Sequence, residues 1–285
     1  MGLYELTERL GKLEALDSAG HKVAEAVGRA LPHGPVKDAL SGTWLGHALH
    51  PVLTDVPIGT WASASILDIL GGEDTGRSAE LLIGVGLAAA VPTVAAGWSD
   101  WSDTQGSEQR IGLVHGASNG AVTLLYASSL WARRRGNRGV GVSLGLLGAG
   151  LTLASAYLGG HLSLSKGVGV DQTAFEDGPS EWTTVMSEAA LGPEPASADV
   201  GGTAVMLVRH RGAIKAIMDR CSHLSGPLHE GELRDDCIVC PWHGSVFRLD
   251  DGAVVEGPAR APQPAYDVRV EQGDIQVRLR EPAHG

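Results

Sequence analysis

The sequence has few of the residues that stabilise small secreted domains or bind nucleic acids. Only three cysteines occur in 285 residues, Cys221, Cys237 and Cys240, which excludes a disulfide-stabilised scaffold. The formal net charge is −11, and nine of these charges fall in residues 171–285. A basic nucleic-acid surface is therefore absent, whereas the acidic surface either docks a cationic protein or is simply solvated. The first forty residues contain no long apolar stretch, so the sequence predicts no secretory signal.

Charge is also scarce inside four long apolar stretches. These stretches are Pro51–Leu70, Ala79–Trp98, Ile111–Trp131 and Gly139–Gly160. Each has roughly 20 residues, the length that crosses about 30 Å of hydrocarbon as a helix. A buried bundle in a soluble protein is the alternative, but four matching lengths favour a four-helix transmembrane bundle.

The remaining parts of the chain differ in composition from these stretches. Residues 1–40 have apolar positions at helical spacing and predict one or two amphipathic helices, broken near Ser18–Gly20, that lie on a membrane or on the same chain. We expect the membrane domain at 41–170, a polar linker at 171–181 and a second domain at 182–285. Short apolar segments separated by Gly, Pro and Asp-Gly turns predict that the second domain is small and all-β. The predicted strands are Ala204–Arg209, Ala213–Met218, Ile238–Cys240, Ser245–Arg248, Tyr266–Glu271 and Asp274–Leu279.

Two short motifs in the β domain carry chemistry. CSH at 221–223 and CPWHG at 240–244 each supply one thiol and one imidazole, with sixteen residues between His223 and Cys240. Four such ligands could hold one zinc ion. The C-x-H spacing is tighter than that of a zinc finger, however, and no recognition helix follows.

The motif resembles that of the Rieske family, C-x-H followed by C-x-x-H, over about residues 182–280. The resemblance implies a 2Fe–2S cluster with Cys221 and Cys240 on the buried iron and His223 and His243 on the outer iron. It implies an electron carrier with no catalytic residue of its own. Two imidazoles in place of two thiolates raise the reduction potential above that of all-cysteine ferredoxins.

The resemblance also assigns residues around the cluster. Ser245 stands where high-potential members have a hydroxyl that donates to a bridging sulfide, and Pro258 lies in the loop that covers the cluster. Phe247 replaces a tyrosine that donates to a cysteine sulfur in those members. Two cysteines that join the cluster loops in quinol-oxidising members are also missing, with Gly226 and Trp242 at or near their places. We therefore expect a potential between the ferredoxin-like and quinol-oxidising classes.

The membrane domain opens with GHALHPVLTDVPIG at 46–59, which resembles an uncharacterised family of four-helix membrane domains that begin with Gly-His-Pro-x-His-Pro. Ala48 departs from that pattern. A four-span topology gathers polar groups at one side of the membrane. There they could ligate the iron of haem b or another metal ion, or bind a quinone head group. The alternative is that they cap helices in the interfacial zone. The histidines concerned are His47, His50, His115 and His161.

Four arginines between Arg133 and Arg138 predict a cytoplasmic loop by the positive-inside rule, and hence a β domain outside the cytoplasm. The missing disulfide suits a reducing cytoplasm instead. We expect an integral protein of the cell membrane that contacts lipid and redox partner proteins, and a quinone if the histidines bind one. The leading hypothesis is a membrane-anchored electron carrier in a redox chain. The alternatives are a tethered ferredoxin that serves an oxygenase, and a redox sensor.

Overall fold

The helices and the strands of the chain fall into two separate units. The computed structural model describes residues 2–176 and 178–280, apart from the side chain of Glu73, so the last five residues of the predicted β domain lie outside the described part. The first unit, here called the helical unit, comprises Met1–Pro32 and Ala48–Val168. The second, the β unit, comprises His33–His47 and Gly169–Gly285.

Seven α-helices lie in the described residues, followed by ten β-strands, which confirms the predicted combination of a helical part and a small all-β part. The helices are α1 (Leu3–Gly11), α2 (Asp17–Ala30), α3 (Pro35–Ser41), α4 (Leu49–Leu70), α5 (Gly76–Trp101), α6 (Gly106–Arg134) and α7 (Arg138–Leu164). Of these, α3 belongs to the β unit and the others to the helical unit.

The amphipathic helices α1 and α2 pack on the same chain, against α6. Arg110 of α6 donates two hydrogen bonds to the Asp17 carboxylate, at 2.6 and 2.8 Å. The predicted break near Ser18–Gly20 is wrong, because α2 runs through these residues. Gly20 lies against Gln109, whose Oε1 would be 3.0 Å from an added Cβ, so this glycine permits close packing and does not end a helix.

The four long helices form two hairpins, α4–α5 and α6–α7. Each of α4 and α6 contacts both α5 and α7, which places α4 and α6 diagonally across the bundle. In the core the rings of Trp61 and Tyr126 stack with centroids 4.3 Å apart. Arg133 and Asp68 form an ion pair whose side chains are only 1% and 2% exposed.

Two of the described helices, α5 and α7, are long and apolar enough to cross a membrane. Polar side chains interrupt α4 and α6, for example Asp68 in α4 and His115 and Asn119 in α6. The four predicted apolar stretches are thus confirmed as helices, and a membrane crossing by all four remains a prediction.

The β unit contains two antiparallel sheets. The larger has the strand order β1-β10-β9-β4-β3-β2 and the smaller β5-β6-β7-β8. The strands are β1 (Thr183–Ser187), β2 (Ala196–Val200), β3 (Thr203–His210), β4 (Ala213–Met218), β5 (Glu232–Arg234), β6 (Cys237–Val239), β7 (Val246–Arg248), β8 (Val254–Glu256), β9 (Ala265–Glu271) and β10 (Asp274–Leu279).

All six predicted strands are present, with shifts of one residue at some ends. Four described strands were not predicted: β1, β2, β5 and β8, which are three to five residues long. Between the sheets, Met206, Ile217, Ile238 and Phe247 belong to one buried apolar cluster. This cluster supports the loops that carry the two cysteine–histidine motifs.

Candidate functional site

Two loops of the β unit bring the four predicted ligand residues together. Cys221 and His223 follow β4, and Cys240 and His243 lie between β6 and β7. The Cys221 amide donates to Gly226 O at 2.9 Å, and the Cys240 amide donates to Ser245 O at 2.8 Å. Each loop is therefore folded back on its own cysteine.

The ligand residues form a pair of thiols and a pair of imidazoles. The thiols of Cys221 and Cys240 are free, and these residues are only 1% and 3% exposed. The rings of His223 and His243 lie edge to face with centroids 5.2 Å apart. Part of His243 reaches the surface, whereas His223 is buried.

The electrostatics of the thiol pair favour metal binding. A hydrogen bond between the two thiols raises the pKa of Cys221 well above its ordinary value and lowers the pKa of Cys240 to about 7. One thiolate is therefore available near neutral pH, and thiolate is the form that binds metal. Burial, followed by the charges of His243, Arg260 and Lys37, lowers the pKa of His223 well below its usual value. Neutral imidazole is likewise the form that binds metal.

A buried glutamine, which the sequence analysis missed, holds the first loop in place. Gln263 Oε1 accepts a hydrogen bond from the Ser222 amide at 2.8 Å. Its Nε2 donates to Met218 O at 2.9 Å and to Arg220 O at 2.7 Å. These bonds use three backbone groups beside Cys221. The signal in the sequence is weak, since a lone Gln after a Pro-rich segment is typical of exposed turns.

Asp219 supports the same loop from its other side. Its carboxylate accepts hydrogen bonds from the backbone amide and the Nδ1 of His229, both at 2.7 Å, and from Ser197 Oγ at 2.7 Å. Asp219 thus ties His229 to the first loop.

Of the residues assigned around the cluster, Trp242 is exposed and the others are buried, namely Ser245, Phe247, Pro258 and Gly226. Ser245 Oγ accepts a hydrogen bond from the Ala259 amide at 3.0 Å, which leaves its own proton free to be donated. Phe247 is fully enclosed in the core beneath the loops. Gly226 is in close contact with the second loop, because an added Cβ would lie 2.8 Å from Cys240 Sγ and 3.2 Å from the Trp242 ring. This packing joins the two loops without a disulfide.

Residues 33–47, here called the α3 segment, pack on the loop that contains Pro258. Thr43 Oγ1 donates to Ala259 O at 3.1 Å. Arg260 Nε donates to Ser41 O at 2.6 Å. An added Cβ on Gly257 would lie 2.2 Å from Thr43 Oγ1, so glycine is needed for this approach. Nothing in the sequence pattern connects this segment with residues two hundred positions away.

The α3 segment also brings charge to the site. Lys37 is only 3% exposed, and its charge and that of Arg260 both act on His223. At the second loop, an added Cβ on Gly244 would lie 3.6 Å from His33 Nδ1. The α3 segment therefore lines the histidine side of the site with basic groups.

In the helical unit the structure brings together only part of the second predicted site. The rings of His50 and His115 have centroids 6.5 Å apart. His161 instead bonds to Glu8 through Nε2, at 2.9 Å. His47 lies in the β unit.

The donor set fits a 2Fe–2S cluster with two thiolate and two imidazole ligands. The fit rests on two adjacent buried thiols that are free, on two imidazoles beside them, and on a glycine that leaves room next to Cys240 Sγ. In the described residues no three His, Cys, Asp or Glu side chains group around one point for a metal ion.

The fold and the donor set define an iron–sulfur electron-transfer protein. Residues 181–267 match the Rieske [2Fe-2S] domain, and residues 46–172 match a predicted membrane protein family, DUF2231. The chain belongs to the Rieske family and carries a Rieske-type 2Fe–2S cluster, fused to a DUF2231 domain. Both resemblances read from the sequence are confirmed.

Curated relatives include two kinds of Rieske protein. The 3-phenylpropionate/cinnamic acid dioxygenase ferredoxin subunit of Escherichia coli is 45% identical over 71 residues, which are 25% of this chain and 67% of the relative. The cytochrome b6-f complex iron-sulfur subunit of Chlorobaculum tepidum is 33% identical over 110 residues, 35% of this chain and 59% of that subunit. Among solved structures, the ferredoxin of carbazole 1,9a-dioxygenase from Nocardioides aromaticivorans is 34% identical. The match covers 35% of this chain and 100% of the ferredoxin, with a TM-score of 0.33.

Proposed function

We propose that this protein is a membrane-anchored Rieske electron carrier in which Cys221 and Cys240 bind one iron and His223 and His243 bind the other. The observation that carries the proposal is the division of the ligand residues into a buried thiol pair and an imidazole pair of which only His243 reaches the surface. When bound, the cluster accepts and releases one electron, at a potential raised by its imidazole ligands. The protein supplies the ligands, their environment and the docking surface.

The inner ligands, Cys221 and Cys240, are buried away from water. His243 is partly exposed and offers a route for the electron. Gln263 and Asp219 hold the first loop so that little rearrangement accompanies electron transfer. Ser245, whose proton is free to donate, and the basic groups Lys37 and Arg260 favour the more negative, reduced state. Phe247 offers no hydroxyl, which limits the rise in potential.

The helical unit is proposed to anchor the carrier in the lipid bilayer. Two of its helices are long and apolar enough to cross, and α4 and α6 complete the bundle. Orientation remains a prediction. Of the four arginines that predict a cytoplasmic loop, Arg133 pairs with Asp68, and Arg138 Nη2 lies 3.9 Å from the same carboxylate. The positive-inside rule counts arginines whether or not an acid lies nearby, so these pairs leave the predicted cytoplasmic side of this loop unchanged.

A tethered ferredoxin that delivers electrons to an oxygenase is the second candidate. Two observations favour it: Gly226 packs against the second loop without a disulfide, and the ferredoxin relative is 45% identical. Carriers of this kind need a low potential, whereas oxidation of a quinol needs a high one.

Redox potentiometry of the detergent-purified full-length protein tests both candidates. A high cluster potential that falls as the pH rises would support a quinol-linked chain. In that case the histidine ligands release or take up protons when the cluster loses or gains an electron. A low potential that is independent of pH near neutrality would favour the tethered ferredoxin. A protein that binds no 2Fe–2S cluster would contradict both.

A further inference from the structure

The helical unit contains a repeat that the sequence analysis overlooked. Histidine, aromatic ring and charged side chain occur at His50, Trp61 and Asp68 of α4, and at the same spacings at His115, Tyr126 and Arg133 of α6. Each residue meets its counterpart across the bundle: the imidazole rings 6.5 Å apart, the aromatic rings stacked at 4.3 Å, and the charges in an ion pair. The two hairpins are thus related by an approximate twofold axis.

In the ion pair and the aromatic stack, each side chain interacts directly with its counterpart. The two histidines instead hydrogen-bond to other residues. His50 Nδ1 lies 2.9 Å from the Thr93 carbonyl on α5, and His115 Nδ1 lies 2.9 Å from the Ser155 carbonyl on α7. A carbonyl oxygen only accepts, so each Nδ1 carries the proton, which at His115 also faces Ser155 Oγ at 3.1 Å, and each Nε2 carries a lone pair. Metal-ligating histidines typically donate their second nitrogen in this way, which fixes the ring for coordination.

The neighbours of each Nε2 agree with a ligand role. His115 Nε2 accepts a hydrogen bond from Asn119 Nδ2 at 3.1 Å, which a metal ion would replace. For His50 the described residues offer no hydrogen-bond partner at Nε2. The site therefore presents two Lewis bases and no carboxylate, so it suits a transition metal rather than calcium or magnesium.

The separation of the rings also fits. A metal–imidazole bond of about 2.0 Å, with the ring centre about 1.1 Å beyond the nitrogen, puts two imidazoles on opposite sides of one metal ion about 6.2 Å apart, centre to centre. The observed separation is 6.5 Å, with the rings perpendicular at 87°.

Glycines at matching positions make room for both rings. An added Cβ would lie 2.7 Å from the His50 ring at Gly97, and 3.0 Å from the His115 ring at Gly159. Each glycine comes four residues after the residue whose carbonyl holds the ring, Thr93 or Ser155. Both hairpins thus contain the same three features: an imidazole ring, a carbonyl that accepts its Nδ1 hydrogen bond, and a glycine that leaves space for the ring.

We propose that His50 and His115 bind a transition metal ion between them as opposed imidazole ligands, either as a bare ion or as the iron of a haem. The proposal concerns binding in the helical unit and does not depend on the cluster in the β unit.

Metal and haem analysis of the full-length protein, purified in detergent without a polyhistidine tag, tests the proposal. Protein as isolated, and protein incubated with ferrous iron, cupric ion, zinc or hemin, is analysed for metal in excess of the two cluster irons and for a Soret band. We expect about one metal ion or one haem per chain. A Soret band together with the matching amount of iron would show that the ligand is haem. Excess metal without that band would show a bare ion.

Variants decide which residues hold the metal. His50→Asn keeps a side-chain N–H near the Thr93 carbonyl but has no Nε2, so we expect an unchanged melting temperature and at least a roughly tenfold loss of metal or haem. His115→Ala should lose it as well, whereas His21→Ala, an exposed histidine on α2, should not. The Rieske EPR signal should persist in all three. No excess metal or haem under any condition, or full retention in His50→Asn, would overturn the proposal.

Discussion

Ser245→Ala should lower the cluster potential and destabilise the β unit at the same time. Ser245 is fully buried, and its Oγ accepts the Ala259 amide hydrogen bond at 3.0 Å. Its own proton is then free for a cluster sulfur. Alanine removes both the acceptor and the donor without adding bulk.

The two effects have different magnitudes. A buried amide left unsatisfied costs about 1–3 kcal/mol in the free energy of unfolding. A hydrogen bond to a charged acceptor contributes about 1.5–3 kcal/mol, and if roughly half of this distinguishes the reduced from the oxidised cluster, the potential falls by about 30–65 mV, since about 59 mV corresponds to a tenfold change in a one-electron equilibrium.

EPR-monitored redox titration gives the potential, and thermal unfolding of the same sample gives the stability. Ser187→Ala, at an exposed position on β1, is the control and should change neither. An intact cluster with an unchanged potential in Ser245→Ala would refute the assignment of the hydroxyl as a donor.

Three further predictions concern charged groups. Lys37→Gln should lower the cluster potential by tens of millivolts in the redox titration, because it removes a buried positive charge near the histidine ligands. Arg133→Met should destabilise the helical unit by about 3 kcal/mol in thermal unfolding, because it leaves the Asp68 carboxylate buried without its main partner. Glu8, whose pKa is lowered mainly by a hydrogen bond from Lys166, stabilises the fold above pH 4.5 and loses this effect as the pH falls through its folded-state pKa, so Glu8→Gln should flatten the acid side of the melting-temperature profile.

Matched variants separate these effects from general damage. Lys215→Gln removes the other lysine of the β unit, which pairs with Asp250, and should leave the potential unchanged. Asp68→Leu combined with Arg133→Met should recover much of the lost stability, because no unpaired charge remains. Glu5→Gln should keep the acid sensitivity. The opposite result in any of the three would contradict the corresponding prediction.

The candidate cluster site could be read from the sequence because its proposed ligands lie in two compact motifs. Cys221 and His223 are two positions apart, and Cys240 and His243 three, so each loop shows half of the site in a short stretch of sequence. Six of the ten described strands were also predicted, among them all those of six to eight residues, β3, β4, β9 and β10. Gln263 and the α3 segment were not, because their roles depend on contacts with distant parts of the chain.

The helical unit shows the same limit. The lengths of the apolar stretches predicted four helices, but not which histidines meet. His50 and His115 come together because equal spacings on α4 and α6 meet across an approximate twofold axis, and identity between the two hairpins is too low for the repeat to stand out. His161, near the end of α7, instead hydrogen-bonds to Glu8 of α1, a contact that helix periodicity does not specify.

The most direct test of the central claim is the metal content and EPR spectrum of the reduced full-length protein and its ligand variants. We predict two irons and two acid-labile sulfides in the cluster of each chain, with a Rieske-type signal. The signal should be lost in Cys221→Ser, His223→Ala and His243→Ala and kept in His210→Ala, a histidine that bonds to Asp236. One zinc ion per chain without iron, or an unaltered Rieske signal after loss of His223 or His243, would contradict the account.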